Sequence, residues 1–330
     1  MCQSNADLAK VGAFVVDGRT GEPLKNVLVR GGFDNHWGWL AVKGAPLPNE
    51  SFARTDVNGF CRLRGRTNIG EAGVSVREAP PGFYRPRYGE GWSFRRKNLL
   101  GIWQPDNLVA TIRLQRVERP IPLFIKRVTK AERGGFTADI FPKGEDTLRY
   151  DLLMGDWLAP VGTGRVADVT FTRHPREDLG EGVNGADVRG PSYRDSMTVR
   201  FPGEGNGLVE LHPPPSYRLR IRTAPEDGYR SEYLCWRGTN RKLEDDGNYD
   251  ENRCFCFRIR TRRDDRGRIV GAYYGKIYGD ITFAYQFRPE FVPASVCMSY
   301  YLNPTPLDRN LEWDRKTNLG PDRVDYDLLP

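Results

Sequence analysis

The stretch that most limits what this chain can fold into is Val11-Gly-Ala-Phe-Val-Val16, a five-residue turn, Val27-Leu-Val29, and the later Asp56-Val-Asn-Gly59 before Phe60-Cys-Arg-Leu63. Val11, Ala13 and Val15 alternate with Gly12, Phe14 and Val16, so β-branched residues occupy a pleat that is apolar on both faces. Asp17-Gly-Arg-Thr-Gly21 supplies turn chemistry, with two glycines able to take positive φ, and predicts that the runs on either side are two strands joined by a tight turn. Asp56–Gly59 is a second turn signal. The strand after it places Cys61 and Leu63 on one face and Arg62 and Arg64 on the other, which makes Cys61 a buried apolar side chain.

These residues resemble a known family. A Gly and an Asp near the first strand end, Thr20-Gly-Glu-Pro-Leu24, the strand Asn26-Val-Leu-Val29 and the later Thr55-Asp-Val-Asn-Gly59 look like a carboxypeptidase regulatory-like domain. The resemblance covers residues 10–117 and implies a transthyretin-like (prealbumin-like) β-sandwich. Such domains are mostly accessory modules of exported proteins, so the likeness implies a fold and no activity. Intradiol dioxygenases share the opening but need two Tyr and two closely placed His as iron ligands. Here His36, His174 and His212 are far apart in the chain, which argues against iron, and no metal or cofactor is expected.

With 330 residues the chain is long enough for two domains, each with its own core. Gly and Pro, 36 and 24 of them, with frequent aromatic and β-branched residues, favour short strands and loops, and no long i, i+3, i+4, i+7 pattern predicts a helix. The expected fold is all-β with little helix: two β-sandwich domains, the first transthyretin-like. Residues 1–9 read as a polar tether and 10–117 as the first sandwich. Residues 118–330, opened by the prolines of Arg119-Pro-Ile-Pro122, read as a second sandwich-like domain.

Met1-Cys2-Gln-Ser-Asn-Ala-Asp7 resembles the mature start of a bacterial lipoprotein, with Cys2 as the lipidation site and a periplasmic or cell-surface location. A membrane is expected as a partner only through that anchor, since no apolar run approaches the roughly 20 residues that span a bilayer. Cys254 and Cys256 share a strand face and so do not pair with each other, while Cys235 and Cys254 flank a polar stretch that suits a cross-strand bridge. Cys297 completes the set among which a bridge is sought.

The net charge is +7, and only ten of the 50 basic residues are lysine. Tyr217-Arg-Leu-Arg-Ile-Arg-Thr223 and Phe257-Arg-Ile-Arg-Thr-Arg262 are near copies in strand period. Each would place three arginines on one face: Arg218, Arg220 and Arg222, then Arg258, Arg260 and Arg262. Side by side they would form an anion patch for a sulfated or uronic glycan, with nucleic acid ranking behind it.

Aromatic loops are the other lead. His36, Trp37 and Trp39 lie in the connection after the second strand, and Tyr84, Tyr88 and Trp92 in a second loop of the same character. Loops at sandwich ends collect binding residues, and exposed Trp and Tyr stack on sugar rings. Asp246-Gly-Asn-Tyr-Asp250 begins like a calcium loop, but Glu251 stands where Gly is needed and Phe257 where the bidentate Glu belongs, so it reads as a hairpin loop. No Gly-x-Ser-x-Gly elbow or phosphate loop occurs. The sequence therefore reads as a non-catalytic exported binding or cell-surface structural module, with a glycan or another surface protein as partner. A carbohydrate-active enzyme using a carboxylate pair is the alternative, and anion or nucleic-acid binding through the arginine strands the next.

Overall fold

The computed structural model describes residues 8–33, 50–67, 69–86, 89–127, 129–132, 135–140, 146–186, 189–212, 221–250, 253–284 and 295–320. Among these every regular element is a strand. The chain divides into two compact units, residues 1–118 and 119–330.

The first unit contains β1 (Leu8–Asp17), β2 (Leu28–Phe33), β3 (Glu50–Arg54), β4 (Phe60–Arg66), β5 (Glu71–Glu78), β6 (Glu90–Ser93), β7 (Arg96–Lys97), β8 (Trp103–Gln104) and β9 (Leu108–Leu114). Two sheets, ordered β4-β1-β9 and β3-β2-β5-β6, share one core. Val11, Ala13 and Val15 of β1 meet Val29 of β2 and Val74 and Val76 of β5 there, all at most 4% exposed. Cys61 is buried among them, and burial pushes its thiol pKa up.

One expectation is corrected. β1 and β2 are not a hairpin pair: β1 runs antiparallel to β4 and parallel to β9, while β2 sits in the other sheet. The turn after β1 does form, with Gly21 N–H donating to Asp17 O and Leu24 N–H to Val15 O, but pairing stops at the single bridge Val16–Pro23. Pro23 has no N–H to extend a ladder, and Asn26, at φ 62°, then turns the chain across to the second sheet. Asp17 anchors the crossing. It is fully buried, accepts N–H bonds from Arg19 and Thr20, and meets Arg116 Nε at 2.5 Å. Burial alone would raise its pKa, but these donors outweigh it and hold the carboxyl below its usual value.

The second unit contains β10 (Ile121–Arg127), β11 (Thr129–Glu132), β12 (Gly135–Ile140), β13 (Thr147–Asp151), β14 (Asp156–Trp157), β15 (Val169–Arg173), β16 (Glu177–Val183), β17 (Arg189–Arg200), β18 (Gly207–Leu211), β19 (Glu232–Thr239), β20 (Asp245–Gly247), β21 (Cys254–Arg263), β22 (Ile269–Tyr278), β23 (Thr282–Ala284), β24 (Ser295–Cys297), β25 (Ser299–Asn303) and β26 (Trp313–Asn318). One sheet runs β18-β21-β22-β25-β10-β26 and another β14-β13-β15-β17-β19-β20, with β16 added beside β17. A smaller sheet, β11-β12-β24-β23, completes the unit.

The two large sheets enclose the main core. Phe255, Phe257 and Ile259 of β21 and Tyr300 of β25 face Tyr150 of β13, Phe171 of β15 and Val199 of β17. Tyr300 is at its centre, edge-on to Tyr150 and Phe257 with centroids 6.4 and 6.2 Å away, and its hydroxyl donates to Leu152 O at 2.9 Å. The same β18–β26 sheet is also covered on its outer face, by Leu123, Ile125, Tyr301 and Trp313 at one end and Ala224, Cys256, Tyr274 and Leu311 at the other. Burial on both faces explains why β22 and β25 carry apolar and aromatic residues at successive positions.

Gly275 of β22 lies opposite Phe257 of β21, and a Cβ there would come within 2.0 Å of the Phe257 ring. The ring is fully buried and has nowhere to move. Gly275→Ala is therefore expected to destabilise the second unit by about 1–3 kcal/mol, the usual cost of overpacking a core, measured as a lower urea midpoint with unchanged slope.

Candidate functional site

The arginine strand resolves into structural ions. In β21 the pairing steps from Ile259–Tyr273 to Arg262–Gly271, so Arg260 and Thr261 together oppose Ala272, a bulge in which Arg260 takes φ 52°. The bulge breaks the alternation that would have kept Arg258, Arg260 and Arg262 on one face. Arg258, 6% exposed, donates to the carbonyls of Gly205 (2.6 Å) and Glu226 (3.0 Å) and covers the Tyr229 ring at 4.3 Å, on the outer-core side. Arg260 turns the other way. Its Nε meets Asp168 Oδ1 at 2.8 Å, and its Nη2 meets Asp168 Oδ2 at 2.8 Å and Asp151 Oδ1 at 2.6 Å. Arg262 is exposed, Arg222 is half-buried, and Arg218 and Arg220 lie outside the described residues. The expected common face of arginines is thus not a feature of β21.

Asp151 and Asp168 hold the loop between them. Asp151 accepts N–H bonds from Leu153, Met154, Arg165 and Val166, and Asp168 from Leu152. Burial raises the pKa of Asp168 despite Arg260, whereas for Asp151 the N–H donors and Arg260 overcome burial and lower it. Both carboxylate side chains are 1% exposed.

A cavity of about 540 Å³ opens at the far end of the same sandwich. One wall is β19 and β20, with Tyr193 of β17; the other is Asp280-Ile-Thr-Phe283. The hairpin joining β19 to β20 is built by Asn240, whose side-chain oxygen accepts N–H bonds from Lys242 and Glu244. Asn248 then continues the ladder with its side chain: Oδ1 accepts from Trp236 N–H at 2.8 Å and Nδ2 donates to Leu234 O at 2.6 Å. This presents Asp245, Asp246 and Tyr249 at the rim, with Tyr249 61% exposed. Arg237 reaches the opposite wall at Phe283 O, 3.4 Å away. Behind it the fully buried Asp195 is gripped by both arms of Arg176, at 2.8 and 2.7 Å, while that guanidinium stacks on Tyr193.

Asp280 is a positioning group. It accepts from Asp250 N–H, Ile281 N–H and Arg253 Nη1, the last at 2.7 Å, and Arg253 in turn binds Glu210 Oε1. Burial still pushes its pKa up. With its Oδ2 spent on Asp250 N–H and Arg253 and its Oδ1 on Ile281 N–H, Asp280 is poorly placed to act as one half of a carboxylate pair. The stretch 245–249 thus lines the cavity. Among the described residues no group of three or more His, Cys, Asp or Glu side chains is arranged to hold a metal.

Cys235 is a free thiol in β19 that points at Ile281 O (3.5 Å), in the opposite sheet from Cys254, so the expected Cys235–Cys254 bridge is not formed. Burial pushes the Cys256 thiol up to about 12 and raises Cys235 as well, which makes both inert packing groups. Of the aromatic candidates in the first unit, His36, Trp37, Trp39 and Tyr88 lie outside the described residues, as does Cys2. Tyr84 is 8% exposed, and Trp92 is half-buried against the core. His174 bonds Thr198 Oγ1 at 2.8 Å, and His212 sits beside Glu210 and Asp250.

No protein-family model matches this chain, and no curated protein does. Among solved structures it is similar to the pilus 2b backbone protein of group B streptococcus, with 13% identity over 33% of this chain and 41% of that one at a TM-score of 0.23. It is also similar to a streptococcal ancillary pilin, with 14% identity over 57% and 60% at 0.26. The third is 3-chlorocatechol 1,2-dioxygenase from Rhodococcus opacus 1CP, with 14% identity over 36% and 63% at 0.27. The chain thus spans between 41% and 63% of the lengths of these proteins. Superpositions this partial leave function to be argued from the residues.

Replacing Arg260 with Met leaves Asp151 and Asp168 buried without their cation, and we expect a loss of about 3 kcal/mol at pH 7. A carboxyl whose folded pKa lies above its unfolded value binds its proton first in the folded state, so acidification favours folding of the variant as Asp168 protonates. The urea-midpoint gap between Arg260→Met and the parent should therefore narrow from pH 7 to pH 5.

Proposed function

We propose that this chain is a non-catalytic, exported binding module whose ligand site is the cavity between β19–β20 and residues 280–283, and whose ligand is a hydroxyl-rich glycan. The observation that carries the reading is the composition of that cavity. Tyr249, 61% exposed, offers a flat apolar surface above the largely buried Tyr193 and Phe283, and Asp245, Asp246 and Arg237 add acceptors and a donor, the combination that orients a sugar ring. The volume of about 540 Å³ suits one or two such rings. The rim is rigid because Asn248, Asp280 and Arg253 fix it, so little ordering is needed on binding.

The exported, cell-surface part of the proposal rests on the likeness of residues 10–117 to carboxypeptidase regulatory-like domains and on the lipoprotein-like start at Cys2. The loop holding Trp37 and Trp39 is a second candidate contact for the same class of ligand.

The test is a glycan-array screen of the full chain at physiological salt, followed by titration of the best neutral ligand. Tyr249→Ala and Asp246→Asn alter exposed rim positions, and each is expected to weaken binding at least tenfold, about 1.4 kcal/mol, with unchanged melting temperature. Silence on every glycan would overturn the reading. Binding that survives both substitutions but is lost in Trp37→Ala/Trp39→Ala would move the site to the first unit.

A further inference from the structure

Two of the three most exposed large apolar residues among the described residues are neighbours. Leu99 is 106% and Leu100 70% exposed, at the tip of the hairpin formed by β7 and β8. The tip is well held. Asn98 N–H donates to Ile102 O at 2.9 Å, Asn98 Oδ1 accepts from Leu100 and Ile102 N–H at 3.0 Å each, and Gly101 closes the turn at φ 75°. Its base is anchored in the core of the first unit. Trp103, 9% exposed, donates Nε1–H to Thr67 O at 2.7 Å, and Phe94 packs beside it. Two leucines are thus carried outward on a rigid stem with no described side chain covering them.

Along the chain the charges that flank the tip have one sign. Arg95, Arg96 and Lys97, all exposed, precede the tip, and no Asp or Glu occurs between Glu90 and Asp106. Asp106 itself is paired with Lys10 at 3.1 Å. Lys97 lies over the Trp103 ring at 4.4 Å, which directs its stem along the hairpin.

We propose that this hairpin is a membrane-contacting wedge that inserts Leu99 and Leu100 into a bilayer rich in anionic lipid while Arg95 and Arg96 meet the headgroups. A convex tip of two side chains is far smaller than the roughly 1,200 Å² at the lower end of stable protein interfaces, so a protein groove is the weaker match. A bilayer accepts such a tip, because apolar groups enter the headgroup–acyl boundary to about 5–10 Å and basic residues at that depth are drawn to anionic lipid. The contact is independent of acylation at Cys2 and of the cavity in the second unit, so it stands whatever the glycan screen returns. With one short apolar tip, binding would be reversible and would orient the molecule on a surface already close by.

The test is co-sedimentation of the full, unacylated chain with vesicles of phosphatidylcholine and phosphatidylglycerol in equal parts, against vesicles of phosphatidylcholine alone, at physiological salt. We expect at least tenfold stronger partitioning to the anionic vesicles. Leu99→Ser/Leu100→Ser should lower it at least fivefold, and Arg95→Ser/Arg96→Ser should do likewise. Both variants should keep the parent melting temperature, since none of the four side chains is buried. The proposal fails if the leucine variant binds as the parent does, which would reduce the effect to the net charge of +7, or if the parent ignores both vesicles.

Discussion

The second unit depends on one guanidinium. Arg260 leaves the plane of its own strand through a bulge, and its fork ties two buried carboxylates whose remaining oxygens organise the loop from Asp151 to Asp168. Each charge would be costly to bury alone; together, with five backbone N–H donors satisfied around them, they hold β13, β15 and β21 in one arrangement. Asn206 supports the bulge by accepting the N–H of Thr261 that the ladder leaves over. The same principle recurs at Arg176 with Asp195, at Arg253 with Asp280 and at Arg116 with Asp17. Arginine suits this use because its planar fork matches a carboxylate at two points.

This explains how so arginine-rich a chain has no positive strand face at β21. Three of these pairs lie in the second unit. At the cavity end, Arg253 and Asp280 fix the segment carrying Tyr249, and Arg176 and Asp195 back the wall formed by Tyr193 and Arg237. The rim, Asp245, Asp246 and Tyr249, stays exposed.

Strand identity was legible in the residues; strand partners were less so. The alternation at Val11, Ala13 and Val15 predicts the buried face of β1, and the position of Cys61 predicts its burial, because both follow from a period of two within one strand. That β1 pairs with β9, nearly a hundred residues on, and not with β2, depends on a turn whose effect appears only once Asn26 has redirected the chain. Arg260 was the harder case: a non-glycine residue at positive φ has no local signature, and one extra residue in a strand reverses every side chain beyond it. In the cavity, Asp246 to Asp250 was visible as an unusual loop, but its use of Asn248 to continue the β-ladder requires the fold. The pair Leu99-Leu100 has no signature in the sequence that sets it apart, and only its exposure marks it out.

Arg260 is a structural ion, itself partly exposed but locked onto two buried carboxylates, and the direct measurement is the Nε–H resonance of Arg260 in the selectively labelled full chain. A separate signal that exchanges slowly with water at pH 7, ignores added sulfate and collapses into the common arginine envelope in Asp168→Asn is the predicted result. A rapidly exchanging signal that moves with sulfate and is unaffected by Asp168→Asn would show a solvent-facing, anion-binding arginine and contradict it.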